Sequence, residues 1–327
     1  MAFRHDIQTP APRLRPGVSG LSRAPVGEIQ RRRLLAAALD AVADVGYART
    51  TVQQITRRAK VSRKTFYEVF ADCEDCFLAL LDQTLSEAGL LARRAYESES
   101  SWRDGIRSAL AQLLAFMQGD PRVSLLFLVE SLAAGGRVSQ RRTQVLQRLA
   151  SVIDEGRHTT SVNHQPPQLT AEAVVGGVFA LLHTRVIQER KEPLTDLLGP
   201  LMSIITLPYL GPTAAGQELT RPVPPCRTQT SSHRSTRSRD PLDGLDIRLT
   251  YRTVLVLTAI SEHPGASNRE IAERSGIVDQ GQISKLLTRL AALNLTENLG
   301  EGKEKGGANA WRLTALGTRL ERATRPH

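Results

Sequence analysis

Residues 46–81, GYARTTVQQITRRAKVSRKTFYEVFADCEDCFLALL, carry the signals for two short helices joined by a tight turn. The first helix has one inward face at helical spacing, formed by Val52, Ile55 and Ala59. Thr50 and Gln53 have the spacing of a capping box, in which each side chain bonds a free backbone N–H group of the first turn. The sequence therefore predicts that this helix begins directly after Thr50.

The second helix is predicted over residues 63–69, because the Ser62 hydroxyl can accept a hydrogen bond from an otherwise unpaired amide. Hydrogen-bond donors stand at its leading end and aromatic rings at its trailing end, as Arg63, Lys64, Thr65, then Phe66, Tyr67 and Phe70. A helix that reads DNA needs exposed donors near its N-terminus and a packed base behind them. We therefore predict a helix-turn-helix that binds the major groove.

The stretch resembles the DNA-binding domain of the tetracycline-repressor (TetR) family of transcription regulators. The matching residues are Gly46-Tyr47, Thr50-Thr51-Val52, Ile55, Val61-Ser62, Phe66-Tyr67 and Phe70. In this resemblance Tyr67 corresponds to a tyrosine that contacts a phosphate. We predict that this first reader contacts DNA through Thr50, Thr51, Ser62, Arg63, Lys64, Thr65 and Tyr67.

Two positions depart from the family pattern. Lys60 stands where a glycine commonly forms the turn, which predicts either a residue at positive φ or a different turn. Cys73 stands where a lysine commonly contacts a phosphate, so that contact is in doubt. Cys73 and Cys76 form a CxxC pair, but a zinc site needs about four ligands and no second pair is present. We interpret Cys76 as a core residue and Cys73 as a surface residue, and expect no metal and no cofactor.

Composition limits the remaining possibilities. The chain has 327 residues, a net charge of +10 and a pI of about 10.1, which favours a polyanionic partner. Hydrophobic content of 41% with 4% aromatic residues is typical of a helical protein rich in leucine and alanine. No apolar run approaches the ~20 residues of a membrane span, and three cysteines are compatible with a reducing compartment. We expect a cytoplasmic protein with no membrane partner, and no catalytic constellation indicates an enzyme.

The chain is expected to fold as an all-α TetR-like core followed by a small α+β winged-helix domain. Proline, serine and arginine dominate both the N-terminus and a second stretch after the core, which indicates segments without a packed core. The predicted parts are a disordered basic arm over 1–27, the helix-turn-helix domain over 28–72, a helical effector-binding and dimerisation domain over 73–210, a flexible linker over 211–244 and the winged-helix domain over 245–325.

Two functions are expected of the helical domain. A stripe of small residues on its penultimate helix allows close approach of another helix, and consists of Ala173, Gly176, Gly177 and Ala180. The resemblance implies a four-helix bundle across a two-fold dimer axis, and the alternative is close packing within one subunit. The resemblance also implies an effector pocket for a small hydrophobic molecule. Candidate lining residues, which otherwise serve as core, are Trp102, Phe116, Met117, Phe127, Glu130, Phe179 and His183.

The C-terminal domain has its own helix-turn-helix signals. Ser267 with Glu270 forms a second capping box, and Asp279 with Gln282 caps the next helix. Two short strands around the loop EGKEKGGAN then resemble the wing of the MarR family. In this resemblance the second reader consists of Gln280, Gln282, Ser284, Lys285 and Arg289 in a major groove, with Lys303 and Lys305 on the wing. The alternative is a winged helix that contacts protein.

The sequence thus indicates a homodimeric, ligand-responsive transcription regulator, and we expect a repressor that binds a palindromic operator in double-stranded DNA. The alternative is an architectural or scaffold protein whose two basic domains bridge DNA or hold a partner protein without small-molecule control.

Overall fold

The computed structural model describes residues 24–159, 165–188, 192–224, 250–300 and 309–324. The chain divides into two compact units. The helical unit comprises residues 31–239, and the C-terminal unit comprises residues 240–327 together with residues 1–30. Residues 1–23, most of the predicted basic arm, lie outside the described residues.

Ten helices precede the second stretch rich in proline and serine. They are α1 Ala24–Val45, α2 Val52–Ala59, α3 Arg63–Val69, α4 Cys73–Glu97, α5 Trp102–Gly119, α6 Pro121–Leu125, α7 Ser131–Ala133, α8 Gly136–Asp154, α9 Thr170–Ile187 and α10 Leu198–Thr220. The first helix begins at Ala24, earlier than the predicted residue 28, and Val26 and Ile29 are buried in the hydrophobic core of the C-terminal unit. The prediction of an arm without a packed core up to residue 27 was therefore wrong at its last residues.

The cap of α2 differs from the prediction by one residue. Thr51, with Gln54 as its partner, forms the capping box in place of Thr50 and Gln53. A 3₁₀ turn over Tyr47–Arg49 precedes it, and the Thr50 hydroxyl donates back to the Gly46 carbonyl at 2.8 Å. This turn closes α1 before α2 can start, so the cap moves to the next threonine.

The remaining predicted caps of the helical unit agree better with the structure. Ser62 caps α3 by accepting from the Thr65 amide, and Lys60 adopts a left-handed conformation with φ 55°, as expected of a non-glycine turn. Ser101 caps α5, and Asp120 with Pro121 starts α6. The helix that α6 starts continues through a π-helical turn over Leu126–Glu130, a rare conformation that is frequent at functional sites.

The linker predicted from residue 211 begins later than expected. Helix α10 bends at Gly211, where φ is 77°, and then continues to Thr220. Positive φ is readily adopted only by glycine, so Gly211 allows the bend that the flanking Pro208 and Pro212 favour. The segment after the bend buries Ala215 and Glu218 against the helical unit. Residues 225–249 lie outside the described residues.

The C-terminal unit has the predicted order of elements. It comprises α11 Tyr251–Glu262, α12 Asn268–Ser275, α13 Gln280–Ala292, β1 Thr296–Asn298, β2 Trp311–Leu313 and α14 Ala315–Thr324. The two strands pair antiparallel, with Thr296 opposite Leu313. Gly317 packs directly on the Leu295 carbonyl, which would lie 1.9 Å from a Cβ atom at this position, so α14 can approach β1 only through a glycine. Lys303 and Lys305 fall in the loop outside the described residues.

Candidate nucleic-acid interface

Helix α3 presents a polar, basic face to solvent and an aromatic face to the core. Arg63, Lys64 and Tyr67 are exposed, with 56% of Tyr67 accessible. Phe66, on the opposite side, is fully buried beneath α1 and α4 and meets the Tyr67 ring edge to face at 5.4 Å. The Lys64 ammonium lies 3.9 Å from Glu68, a solvent-exposed pair that is too weak to hold the lysine in place. The face is therefore free to meet an external polyanion.

The predicted hydroxyl contacts are also used inside the protein. Thr51 and Ser62 cap α2 and α3, and the Thr65 hydroxyl lies 2.7 Å from that of Ser62. Thr50 bonds the Gly46 carbonyl. These four hydroxyls set the positions of the two helices, and their contact with DNA stays a prediction.

Two contacts tie this helix-turn-helix to the rest of the helical unit, and neither was predicted. The Glu130 carboxylate, at the end of the π-helical turn, accepts from the Tyr47 amide at 2.6 Å. Arg137, in the first turn of α8, pairs with Asp72 at 3.1 Å and with Glu74 at 3.2 Å. Glu130, predicted to line an effector pocket, thus caps the 3₁₀ turn before α2 in this structure. Sequence spacing carries no signal for such contacts between residues far apart in the chain.

The cysteine pair at the start of α4 is not suited to thiolate chemistry. Cys76 is fully buried, and burial raises the pKa of its thiol to about 12. Cys73 is half-buried, deeper than the predicted surface position, and burial followed by the Asp72 carboxylate raises the pKa of its thiol. Among the residues that the structure describes, no group of three or more His, Cys, Asp or Glu side chains could hold a metal ion.

The predicted effector residues lie in the interior of the helical unit. Trp102 packs against Tyr209 at 5.3 Å and donates to the Val152 carbonyl at 3.2 Å. A Cβ atom at Gly156 would lie 2.7 Å from the Trp102 ring, so the ring has no free space on that side. Met117 belongs to the same core, with Phe179 partly buried against it, and Phe116 packs with Phe127 in a smaller cluster. His183 is half-buried on α9. The observed state is closed around Trp102.

Two open surface cavities occur elsewhere in the helical unit. One, of about 380 Å³, is lined by Arg31, Asp82 and neighbouring residues of α1 and α4. The other, of about 550 Å³, lies between the start of α5 and the end of α10, with Arg103 and Arg221 in its wall. Neither includes any of the seven predicted effector residues, so the predicted pocket stays a prediction.

The small-residue stripe on α9 faces solvent. Ala173, Gly176, Gly177 and Ala180 are all exposed, and no atom lies within 4 Å of a Cβ built at either glycine. The alternative of close packing within one subunit was therefore wrong for the described residues. Large apolar side chains flank the stripe and are also exposed, namely Leu181, Ile187, Ile204 and Leu207. We name the stripe together with these four side chains the α9–α10 face.

Helix α9 and the segment Leu194–Thr220 are long and apolar enough to cross a membrane by length and composition, which the sequence analysis did not anticipate. Less than half of each segment is buried in one copy of the chain. An apolar face of this kind needs a covering partner, because contiguous apolar surface in water is unfavourable.

The second reader is exposed except for one side chain. Gln280, Ser284, Lys285 and Arg289 lie on the solvent side of α13, which buries Ile283, Leu287 and Leu290 on its other side. Gln282 is held at both ends of its amide, because its oxygen accepts from Arg252 at 2.9 Å and its nitrogen donates to Asp279 at 3.0 Å. Its predicted role as a base-reading residue is thus less direct than that of Gln280.

Known proteins resemble part of this chain. Residues 34–80 match the family model described as bacterial regulatory proteins, tetR family. The uncharacterized HTH-type transcriptional regulator YhgD of Bacillus subtilis (strain 168) is 24% identical over 159 residues, which are 47% of this chain and 83% of that protein. The fatty acid metabolism regulator protein of the same organism is 17% identical over 178 residues, 53% of this chain and 92% of that protein.

Among solved structures, the fatty acid degradation regulator FadR from Bacillus halodurans is similar with a TM-score of 0.48 and 18% identity, over 54% of this chain and 94% of that one. These matches cover about half of the chain. The family model identifies residues 34–80 as a helix-turn-helix domain of the tetR family of bacterial regulatory proteins.

Proposed function

We propose that this chain is a DNA-binding transcription regulator that acts as a homodimer and has two readers in each chain. The observation that carries the proposal is α3, a short capped helix with exposed Arg63, Lys64 and Tyr67 above a fully buried Phe66, within the stretch that matches the tetR family model. Selection of binding sequences from random DNA by the full-length protein tests it directly. Recovery of no enriched sequence would contradict the proposal.

Tyr67 is expected to serve DNA binding and not the fold, because its hydroxyl is exposed on the reading face. Tyr67→Phe should weaken binding to the selected sequence by about 1 kcal/mol, roughly fivefold, since one hydrogen bond to a phosphate is lost. The melting temperature should stay unchanged. Fluorescence anisotropy and thermal denaturation of the same preparation measure both quantities.

Tyr96→Phe is the matched control, because the Tyr96 hydroxyl donates to Glu155 at 2.6 Å in the helical unit. It should lower stability slightly and leave DNA binding unchanged. Lys64→Ala should reduce the slope of log affinity against log salt by about one, as expected for one phosphate contact. If Tyr67→Phe binds DNA as the wild type does, Tyr67 is not part of the reader.

The α9–α10 face supports the homodimer. It presents small residues where a second helix backbone can approach and large apolar side chains around them. One short recognition helix reads few base pairs, whereas a two-fold dimer doubles the site and makes it palindromic. We therefore favour a second copy of the chain over a membrane as the partner of this face.

The C-terminal unit is proposed to bind DNA beside the palindrome through α13. A truncated chain that ends after Pro224, which keeps the whole of α10, should bind the palindrome with a shorter footprint and a weaker salt dependence, because fewer phosphates are neutralised. Footprinting and salt titration of both proteins on one DNA fragment measure this.

The full-length variant Lys285→Ala/Arg289→Ala is the control for any effect of truncation on folding. Its salt slope should fall by about two, one for each lost phosphate contact. Unchanged slopes and footprints in both proteins would favour the alternative, a C-terminal unit that contacts protein.

Regulation by a small hydrophobic ligand is proposed for the interior around Trp102, Met117 and Phe179, with release of DNA as the expected response of a repressor. Fatty acids and their derivatives are the first probes, because one relative is described as a fatty acid metabolism regulator. A ligand that binds the native state raises the melting temperature. If no such ligand raises the melting temperature or weakens DNA binding, the scaffold alternative without small-molecule control is favoured.

A further inference from the structure

Val278 is the most exposed of the large apolar side chains in the described part of the chain, with 95% of its surface accessible. Its position is well defined, because Ile277 before it is buried and Asp279 after it caps α13 through the amides of Gly281 and Gln282. A β-branched side chain next to a fixed cap also has little rotational freedom. The structure therefore holds one apolar group in water at the leading end of the second reader.

The surroundings of Val278 indicate what this group meets. Gln280, two residues further on, is exposed, whereas the Gln282 amide is already bonded at both ends. The ionisable residues of α13 are Lys285 and Arg289, both basic and both exposed. A helix with this charge complements a polyanion and not an acidic-and-basic protein surface. The leading end thus combines one apolar and one amide side chain on a basic helix.

We propose that Val278 is a specificity residue of the second reader, which packs against the C5-methyl group of a thymine in the major groove while Gln280 hydrogen-bonds a nearby adenine. The thymine methyl is the apolar group that the major groove offers, and glutamine pairs with the N6 and N7 atoms of adenine. The second reader then selects sites that contain an A·T pair at the position facing the start of α13. This inference rests on the proposed binding of DNA by the C-terminal unit.

The test uses the full-length protein and the DNA sequence that it selects. Each thymine of the second footprint is replaced in turn by uracil, which lacks only the methyl group. Replacement at one position should weaken binding about fourfold, the effect of one methyl group returned to water. With Val278→Ala the same replacement should have little effect, because the side chain that covered the methyl group is gone.

Val223→Ala is the matched control, since Val223 is also an exposed valine, at the end of the helical unit, and should respond to uracil as the wild type does. Both valines are exposed, so neither variant should change the melting temperature. A second footprint in which no uracil weakens binding, or equal weakening in wild type and Val278→Ala, would overturn the specificity role alone. Absence of the second footprint would overturn DNA binding by the C-terminal unit and this inference with it.

Discussion

Replacement of Glu218 by alanine should lower the free energy of unfolding of the helical unit by about 3–5 kcal/mol, the range for breaking a buried ion pair. Glu218 is fully buried and pairs with Arg103 at 2.5 Å and with Arg107, whose side chain is also buried. Arg107 further donates to the carbonyls of Arg221 and Pro222. Loss of the carboxylate would leave the Arg107 charge buried without its counter-ion.

Trp102 fluorescence reports unfolding of the helical unit. The chain contains two tryptophans, and Trp311→Phe removes the signal of the C-terminal unit. Urea titration in this background measures the change. Gln217→Ala is the control, because Gln217 is exposed and accepts only one bond from Arg103 at 3.2 Å. The double variant Arg107→Met/Glu218→Leu should recover most of the lost stability, since no buried charge remains. If Glu218→Ala is as stable as Gln217→Ala, the end of α10 does not anchor to α5 as observed.

Gly177→Leu should convert the dimer into monomers and weaken binding to the palindrome by at least about tenfold, because a monomer offers a single reader to a two-fold site. The fold itself should tolerate the change. No atom lies within 4 Å of a Cβ at Gly177, and leucine is a better helix former than glycine by about 1 kcal/mol. The leucine would therefore act only on a helix of the second copy. Sedimentation velocity and anisotropy measure the two effects.

Gly89→Leu is the matched control, because Gly89 is an exposed glycine within α4 with no atom within 4 Å of its Cβ. It should gain the same helix propensity and stay dimeric. A Gly177→Leu protein that sediments as a dimer and binds DNA normally would place the dimer interface elsewhere. A protein that partitions into detergent micelles in both variants would favour a membrane as the partner of the α9–α10 face.

The elements that the sequence predicted well depend on neighbours in the chain. Ser62, Asp120 with Pro121, Ser267 with Glu270, and Asp279 each form the predicted cap, because a capping side chain bonds an amide two or three residues away. The one error follows from the same rule. Thr50 with Gln53 and Thr51 with Gln54 have identical spacing, and the choice depends on where the preceding 3₁₀ turn ends.

The end of the core was misplaced because the signals around Gly211 are local and the forces that continue α10 are not. Proline and glycine within a few residues predict a break, and the chain does bend there. The helix resumes because Glu218 finds Arg103 and Arg107, more than a hundred positions away in the sequence. Propensity is a weak prior that such tertiary contacts override.

The sequence alone thus determined the helix-turn-helix, its reading residues and the order of elements in the C-terminal unit, since periodicity and capping act over one or two turns. The tertiary structure decided which predicted residues remain exposed. It placed Glu130 on the Tyr47 amide, held Gln282 between Arg252 and Asp279, closed the interior around Trp102 and left Val278 and the α9–α10 face in solvent. Each of these depends on which distant segments meet in the fold, and burial and pairing between such segments leave no mark on the local spacing of residues.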